Sequence, residues 1–261
     1  MTSKKQTKLI TGIHNYCDNW CERCPFTSRC AVGLVEYELT DEQKHLNNEA
    51  FWRNLSNNFA KTLNLLQEEA GRKGLDLKPP TDEELQEFEK KHIETRDIIQ
   101  QKPLIKTSEQ YMTATDTWIE AHQRAFENKG FEFVQQVKMG LRTETELLNQ
   151  SILFGESIEV LQWYSHLIKV KFIRAFHGQI ENDSWEEQHG FPKDSDGSAK
   201  VALIGAERSL AAWVKLATIM PELLDSMLPM MGSLQKIIRL GDAAFPNARL
   251  FVRAGFDETS T

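Results

Sequence analysis

Over about residues 143–177 apolar side chains recur at the helical period, with Gly155 as the only weak point and Gly178 just beyond the end. Residues 151–177 alone would reach roughly 40 Å at about 1.5 Å per residue. Leu161, Ile168, Phe172 and Ala175 line one side of that helix, and Ile152, Trp163, Val170 and Ile173 line another. A helix apolar on more than one side has to be surrounded by neighbours. The segment therefore demands a helical bundle with this helix at its centre, and the expected fold class is all-α.

The rest of the chain agrees. Thr40 with Gln43, and Thr81 with Glu84, have the spacing of helix-capping pairs. Leu55, Phe59, Leu63 and Leu66 repeat at helical spacing until Gly71 and Gly74, and Leu85, Phe88 and Ile99 follow on a helix that Pro103 is expected to end. A further helix is expected over 108–128, carrying Tyr111 and Trp118 and closed by Gly130. Residues 178–197, GQIENDSWEEQHGFPKDSDG, read as an internal polar loop. After it comes an alanine-rich helix whose small side chains permit close packing, a Leu/Met-rich segment punctuated by Pro221 and Pro229, and a last helix to about Leu240. AVGLVEYEL, residues 31–39, reads as a short strand or an extended link, and the tail around Arg249 and Arg253 reads as extended. The expected organisation is an N-terminal module of residues 1–39 and a bundle domain of residues 40–261.

All four cysteines fall within the fourteen residues CDNWCERCPFTSRC, as Cys17-x3-Cys21-x2-Cys24-x5-Cys30. No signal-peptide run precedes them and no stretch of about 20 apolar residues follows, so the expected location is cytoplasmic, with no membrane span. In a reducing compartment clustered thiols serve metals or redox exchange rather than structural disulfides. Four thiolates satisfy a tetrahedral zinc ion or a cuboidal 4Fe-4S cluster. Structural zinc sites join two short-spaced pairs through a longer finger, whereas this is one continuous wrap with a single tight pair, which leans toward iron-sulfur. Tyr16, Trp20 and Phe26 are placed to shield such a centre, and Arg23 and Arg29 to offset its negative charge.

CERCPFTSRC, from Cys21 to Cys30, resembles the last three ligands of the 4Fe-4S loop in endonuclease III-type DNA glycosylases, including the proline after the middle cysteine. The resemblance covers about ten residues and implies a cluster loop. It does not imply DNA repair, because the helix-hairpin-helix and catalytic aspartate of that family have no counterpart here. Cys17-x3-Cys21-x2-Cys24 is also similar to the three-cysteine spacing of radical S-adenosylmethionine enzymes. Cys30 would occupy the position those enzymes leave to the cofactor, and the alternating strands and helices of their barrel are missing.

A second polar constellation lies on the long helix, where Glu159, His166 and His177 project within about 20° of one another at about 100° per residue. If that face is buried it needs partners such as Arg174 or Arg208; if it lies at the bundle edge, these are surface groups. Three Glu-x-x-His pairs, Glu42 with His45, Glu89 with His92 and Glu186 with His189, have the spacing of di-iron ligands in helical bundles. The net charge of -7 disfavours nucleic acid, which needs clustered cations. The expected function is that of a 4Fe-4S protein with a redox, sensing or cluster-dependent enzymatic role and a redox or protein partner. The alternatives are a zinc-stabilised helical interaction module and a ferritin-like di-iron oxidase centred on Glu159 and His166.

Overall fold

The computed structural model describes residues 8–38, 49–74 and 78–257, with the side chains at 35–38 and 50 excepted. Among them every regular element is helical. The Thr40 with Gln43 cap and the Glu42 with His45 pair lie outside the described residues. The chain divides into two compact units, one of residues 1–15 and 19–93 and one of residues 16–18 and 94–261.

In the first unit, 3-10 turns at Cys21–Arg23 and Thr27–Arg29 lead into α1 (Ala31–Glu38). The expected strand at 31–38 is thus a helix, because Cys30 O accepts the Leu34 N–H at 3.0 Å and starts the helical ladder at once. α2 (Glu49–Lys73) ends where Gly74 takes φ +67, a conformation that costs glycine little. Its periodic Phe59, Leu63 and Leu66 are exposed. α3 (Asp82–Gln101) opens on the expected capping box, in which Thr81 N donates to Glu84 Oε2 at 2.8 Å and Glu84 N to Thr81 Oγ1 at 3.2 Å. The boundary between the units falls within this helix, at Ile93/Glu94.

The second unit is the bundle. α3 ends at Gln101, just before Pro103 as expected, and Pro103 also opens α4 (Pro103–Ala121), since a proline in the first helical turn sacrifices no hydrogen bond. The expected single helix over 108–128 is broken at His122, whose ring Nδ1 sits 2.8 Å from Trp118 O, and α5 (Gln123–Lys138) carries Gly130 in its interior. α6 (Glu144–Glu181) is the long central helix, capped by reciprocal Thr143 and Glu146 bonds. Leu161, Ile168, Phe172 and Ala175 are fully buried, as the period requires. The second apolar side is different: Ile152 and Val170 are exposed, and the remaining burial falls on Tyr164, Ser165, Lys171 and Phe176.

The 178–197 stretch is mostly helical. α6 continues to Glu181, α7 (Asp183–Gln188) follows, and α8 (Asp194–Ile219) begins within the stretch, leaving 189–193 as the connection. Gly178 is interior to α6 because α8 starts against it; a Cβ there would lie 3.1 Å from Ser195 N. α8 packs along α6 through its small residues. A Cβ at Gly205 would meet the Tyr164 ring at 2.8 Å, which shows how closely the two backbones approach. α9 (Leu224–Ala244) accommodates Pro229 and packs on α4 and α8.

The described C-terminal residues, up to Asp257, are held on the bundle and form no strand. A 3-10 turn at Ala248–Leu250 lies on α8, and Lys200 Nζ donates to Phe251 O at 2.6 Å. Arg249 bridges Asp242 and Glu207, and Asp257 receives both Arg253 and Lys200. Burial alone would raise the Asp257 carboxyl, but hydrogen bonds from Arg253 and Lys200 outweigh it and hold the group well below the usual carboxylate range.

Candidate functional site

Three of the cysteines are carried by the two 3-10 turns of the first unit. Cys24 N donates to Cys21 O at 3.2 Å and Cys30 N to Thr27 O at 3.3 Å, so each turn is closed by its own backbone. The Thr27 hydroxyl lies 3.1 Å from Cys21 O and 2.8 Å from Cys24 O, which ties the second turn to the first. Gly33 N donates to Cys30 Sγ at 3.5 Å, and the close approach of this residue to Thr27 depends on glycine. A Cβ at position 33 would stand 2.9 Å from Thr27 Cγ2 and 3.0 Å from Thr27 O. Arg23 stacks over the Trp20 ring at 4.4 Å, and Arg29 Nε donates to Lys8 O at 3.3 Å. None of the four cysteines is in a disulfide, and Cys30 is buried while the others are half-buried.

The segment Tyr16, Cys17 and Asp18 belongs to the bundle unit and is gripped on both sides of the cysteine. The Tyr16 ring fills a slot between Gly197 and Phe251, its centroid 4.6 Å from that of Phe251, with the Arg174 guanidinium 5.9 Å from the ring centre. Burial, followed by the nearby Asp194 carboxylate, pushes the Tyr16 phenol up to about 12. Asp18 Oδ2 accepts from Tyr164 Oη at 2.5 Å and Arg208 Nη1 at 2.8 Å, while Asp18 O accepts from Trp163 Nε1 at 2.9 Å. Arg208 also donates to Tyr164 Oη. Burial first, then the Asp18 carboxylate, raise the Tyr164 phenol, so the proton stays on Tyr164 and is shared toward Asp18.

Lys171 lies between these two grips, on the buried face of α6 and only 5% exposed. Burial lowers its ammonium from the ordinary lysine value. Nearby acidic groups, Asp18 and Asp194 among them, oppose this. Arg174 engages Asp194 through two bonds of 3.2 and 2.6 Å.

The other sequence candidates are dispersed. His166 Nε2 pairs with Asp116 at 3.2 Å on an exposed edge, His177 stands 3.9 Å from Glu181, and Glu159 is exposed. His92 stacks on Phe88, and His189 Nδ1 sits 2.7 Å from Trp185 O. Among the described residues no three His, Cys, Asp or Glu side chains converge as a metal would gather them. Arg208 and Arg174, considered as partners for Glu159 and His166, serve Asp18 and Asp194 instead. Lys171, Asp18 and Tyr164 escaped sequence reasoning; the one usable signal was a lysine on the predicted core stripe with Ile168 and Ala175. No family model matches the chain, and neither a curated protein nor a solved structure is similar to it. Among the described residues, no helix is long and apolar enough to cross a membrane.

Proposed function

We propose that residues 17–30 are a thiolate metal-binding module, with a 4Fe-4S cluster ligated by Cys17, Cys21, Cys24 and Cys30 in a redox, sensing or cluster-dependent enzymatic role. The observation that carries this reading is four cysteines within fourteen residues, none in a disulfide, three of them on turns that the Thr27 hydroxyl ties together. The donor set is chemically complete for such a cluster, and the Gly33 N–H directed at Cys30 Sγ is the kind of bond that tunes a metal-bound sulfur. When bound, the cluster supplies one-electron redox chemistry. The chain itself would supply the thiolates, the Gly33 N–H to Cys30 Sγ and the cover of Trp20. Among the described residues no group of side chains gathers as a metal would require, so this reading rests on the cysteine spacing and chemistry.

A zinc-stabilised interaction module is the second reading. It draws on the exposed apolar face of α2, where Phe59, Leu63 and Leu66 are 64%, 58% and 57% exposed. Anaerobic purification separates the two. A brown protein absorbing near about 400 nm with roughly four irons per chain supports the cluster, and a Cys17→Ala plus Cys24→Ala variant should then be colourless. A colourless wild type with one zinc supports the module instead. A protein that takes up neither metal, with four thiols reacting freely, overturns both.

A further inference from the structure

We infer that the hairpin formed by α5 and the first turns of α6 is a self-association surface, through which two copies of the chain pair as a four-helix bundle. The inference is independent of the metal reading and concerns residues 123–155. α5 packs along α6 with the Phe126 and Phe154 rings 5.2 Å apart and Phe133 buried, and Gly140 turns the chain between the two helices at φ +69. Both helices carry further apolar groups away from this contact. Phe131 is 71% exposed and Leu148 59%, with Val134 and Ile152 also exposed. At about 100° per residue these four stand between about 80° and 160° from Phe126 or Phe154, all in the same rotational sense. Because the helices run antiparallel, one sense of rotation on both means one side of the hairpin.

An apolar cleft of about 310 Å3, open to solvent, separates the helices between Phe126, Gly130, Phe133, Ser151 and Phe154. Gly130 keeps its wall low, since a Cβ there would meet nothing within 4 Å. A second copy offers the protruding Phe131 to this groove and receives the same in return, as a two-fold interface requires. Charge favours a second copy as the occupant. The whole chain carries -7, whereas residues 123–155 hold four basic and four acidic side chains, so two copies meet here without the repulsion of their remaining surfaces. Laying α5 on the α6 of the second copy brings Lys138 level with Glu144, and Arg124 level with the turn that precedes Glu159. Opposite charges then meet at both ends, whereas α6 laid on α6 sets Glu144 toward Glu159. With α5 about 24 Å long and two helices about 20 Å wide, the footprint is about 500 Å2 per copy, the lower limit for a specific interface. The dimer is therefore a reversible one of micromolar strength.

Sedimentation equilibrium on the full chain, kept reduced so that no disulfide links the copies, tests this. The mass should rise from 30.0 kDa toward twice that value as concentration increases from about 1 to about 200 μM. Phe131→Glu and Leu148→Glu should each weaken the dimer about tenfold or more, whereas Leu250→Glu, on an exposed apolar residue of the C-terminal 3-10 turn, should leave it unchanged. Lys138→Glu and Glu144→Lys should each weaken it and their combination restore it, an exchange that loss of folding cannot imitate. A wild type of 30.0 kDa at every concentration overturns the inference and leaves the face to a partner of another kind. A dimer that survives both Phe131→Glu and Leu148→Glu, or that Leu250→Glu weakens equally, lies on another surface and overturns it too. Should the glutamate variants lose their helical circular dichroism, the charge exchange decides, and a double variant no tighter than the single ones overturns the inference.

Discussion

Replacing Gly197 by alanine tests the slot that holds the N-terminal segment on the bundle. A Cβ at that position would stand 2.4 and 2.6 Å from Cε1 and Cδ1 of Tyr16 and 2.7 Å from Cζ of Phe251. Ordinary carbon contacts lie at about 3.5–4.0 Å, so two rings must move by about 1 Å. Both are fixed: Tyr16 adjoins the gripped Asp18, and Phe251 O is held by Lys200 at 2.6 Å. Overpacking of this kind costs about 1–3 kcal/mol. Against it stands the helix-propensity gain of alanine over glycine, about 1 kcal/mol in a helix interior and smaller near the start of α8. The expected net effect is a loss of about 1–2 kcal/mol in urea denaturation, with an unchanged m-value.

Gly155→Ala in α6 is the matched control. An added Cβ there meets nothing within 4 Å, so that variant should gain about 0.5–1 kcal/mol. In a Tyr16→Ala background the Gly197→Ala penalty should shrink, because the first two contacts vanish, and the difference measures the coupling of the two residues. If Gly197→Ala proves as stabilising as Gly155→Ala, the slot is not as tight as described and the grip on Tyr16 is refuted.

Two further outcomes follow from the same segment. Asp18→Asn removes the anion shared by Arg208 and Tyr164 and should cost about 1–3 kcal/mol, the usual consequence of leaving polar partners unmatched; the same loss should not follow from Asp225→Asn, and equal losses would remove Asp18 from its special place. Alkaline titration followed at the tyrosinate absorbance should find Tyr16 ionising at about 12, and Tyr111 and Tyr164 above the ordinary value of 10. The unfolded chain releases these protons near pH 10 while the folded chain retains them, so stability is full below about pH 10 and falls as pH rises toward and beyond 12. Tyrosines that all titrate near 10 in a protein still helical by circular dichroism would contradict the burial of these phenols.

Much of the fold was legible locally. The stripe of Leu161, Ile168, Phe172 and Ala175 needed only the helical period, the Thr81 with Glu84 box only its spacing, and the close packing of α8 only its run of small residues. These are properties of neighbouring residues, and neighbouring residues are what a sequence displays. The misread elements depended on surroundings. Gly178 and Gly130 look like helix terminators by propensity, yet both lie inside helices, Gly178 with Ser195 packed against it. Ile152 and Val170 share the helical period but not the core, because neighbouring helices cover other sides of α6.

The candidate site divides in the same way. The four cysteines within fourteen residues, on which the proposed thiolate chemistry rests, were visible in the sequence alone, since spacing on one short segment needs no fold to be seen. What grips that segment was decided by tertiary structure: Asp18 meets residues 146 and 190 positions away in Tyr164 and Arg208, and Tyr16 meets Phe251 from the far end of the chain. No local period or spacing encodes such partners. Burial of Lys171 on α6 is likewise a consequence of how the helices come together, and charge in a low-dielectric interior acquires its meaning only once that interior exists.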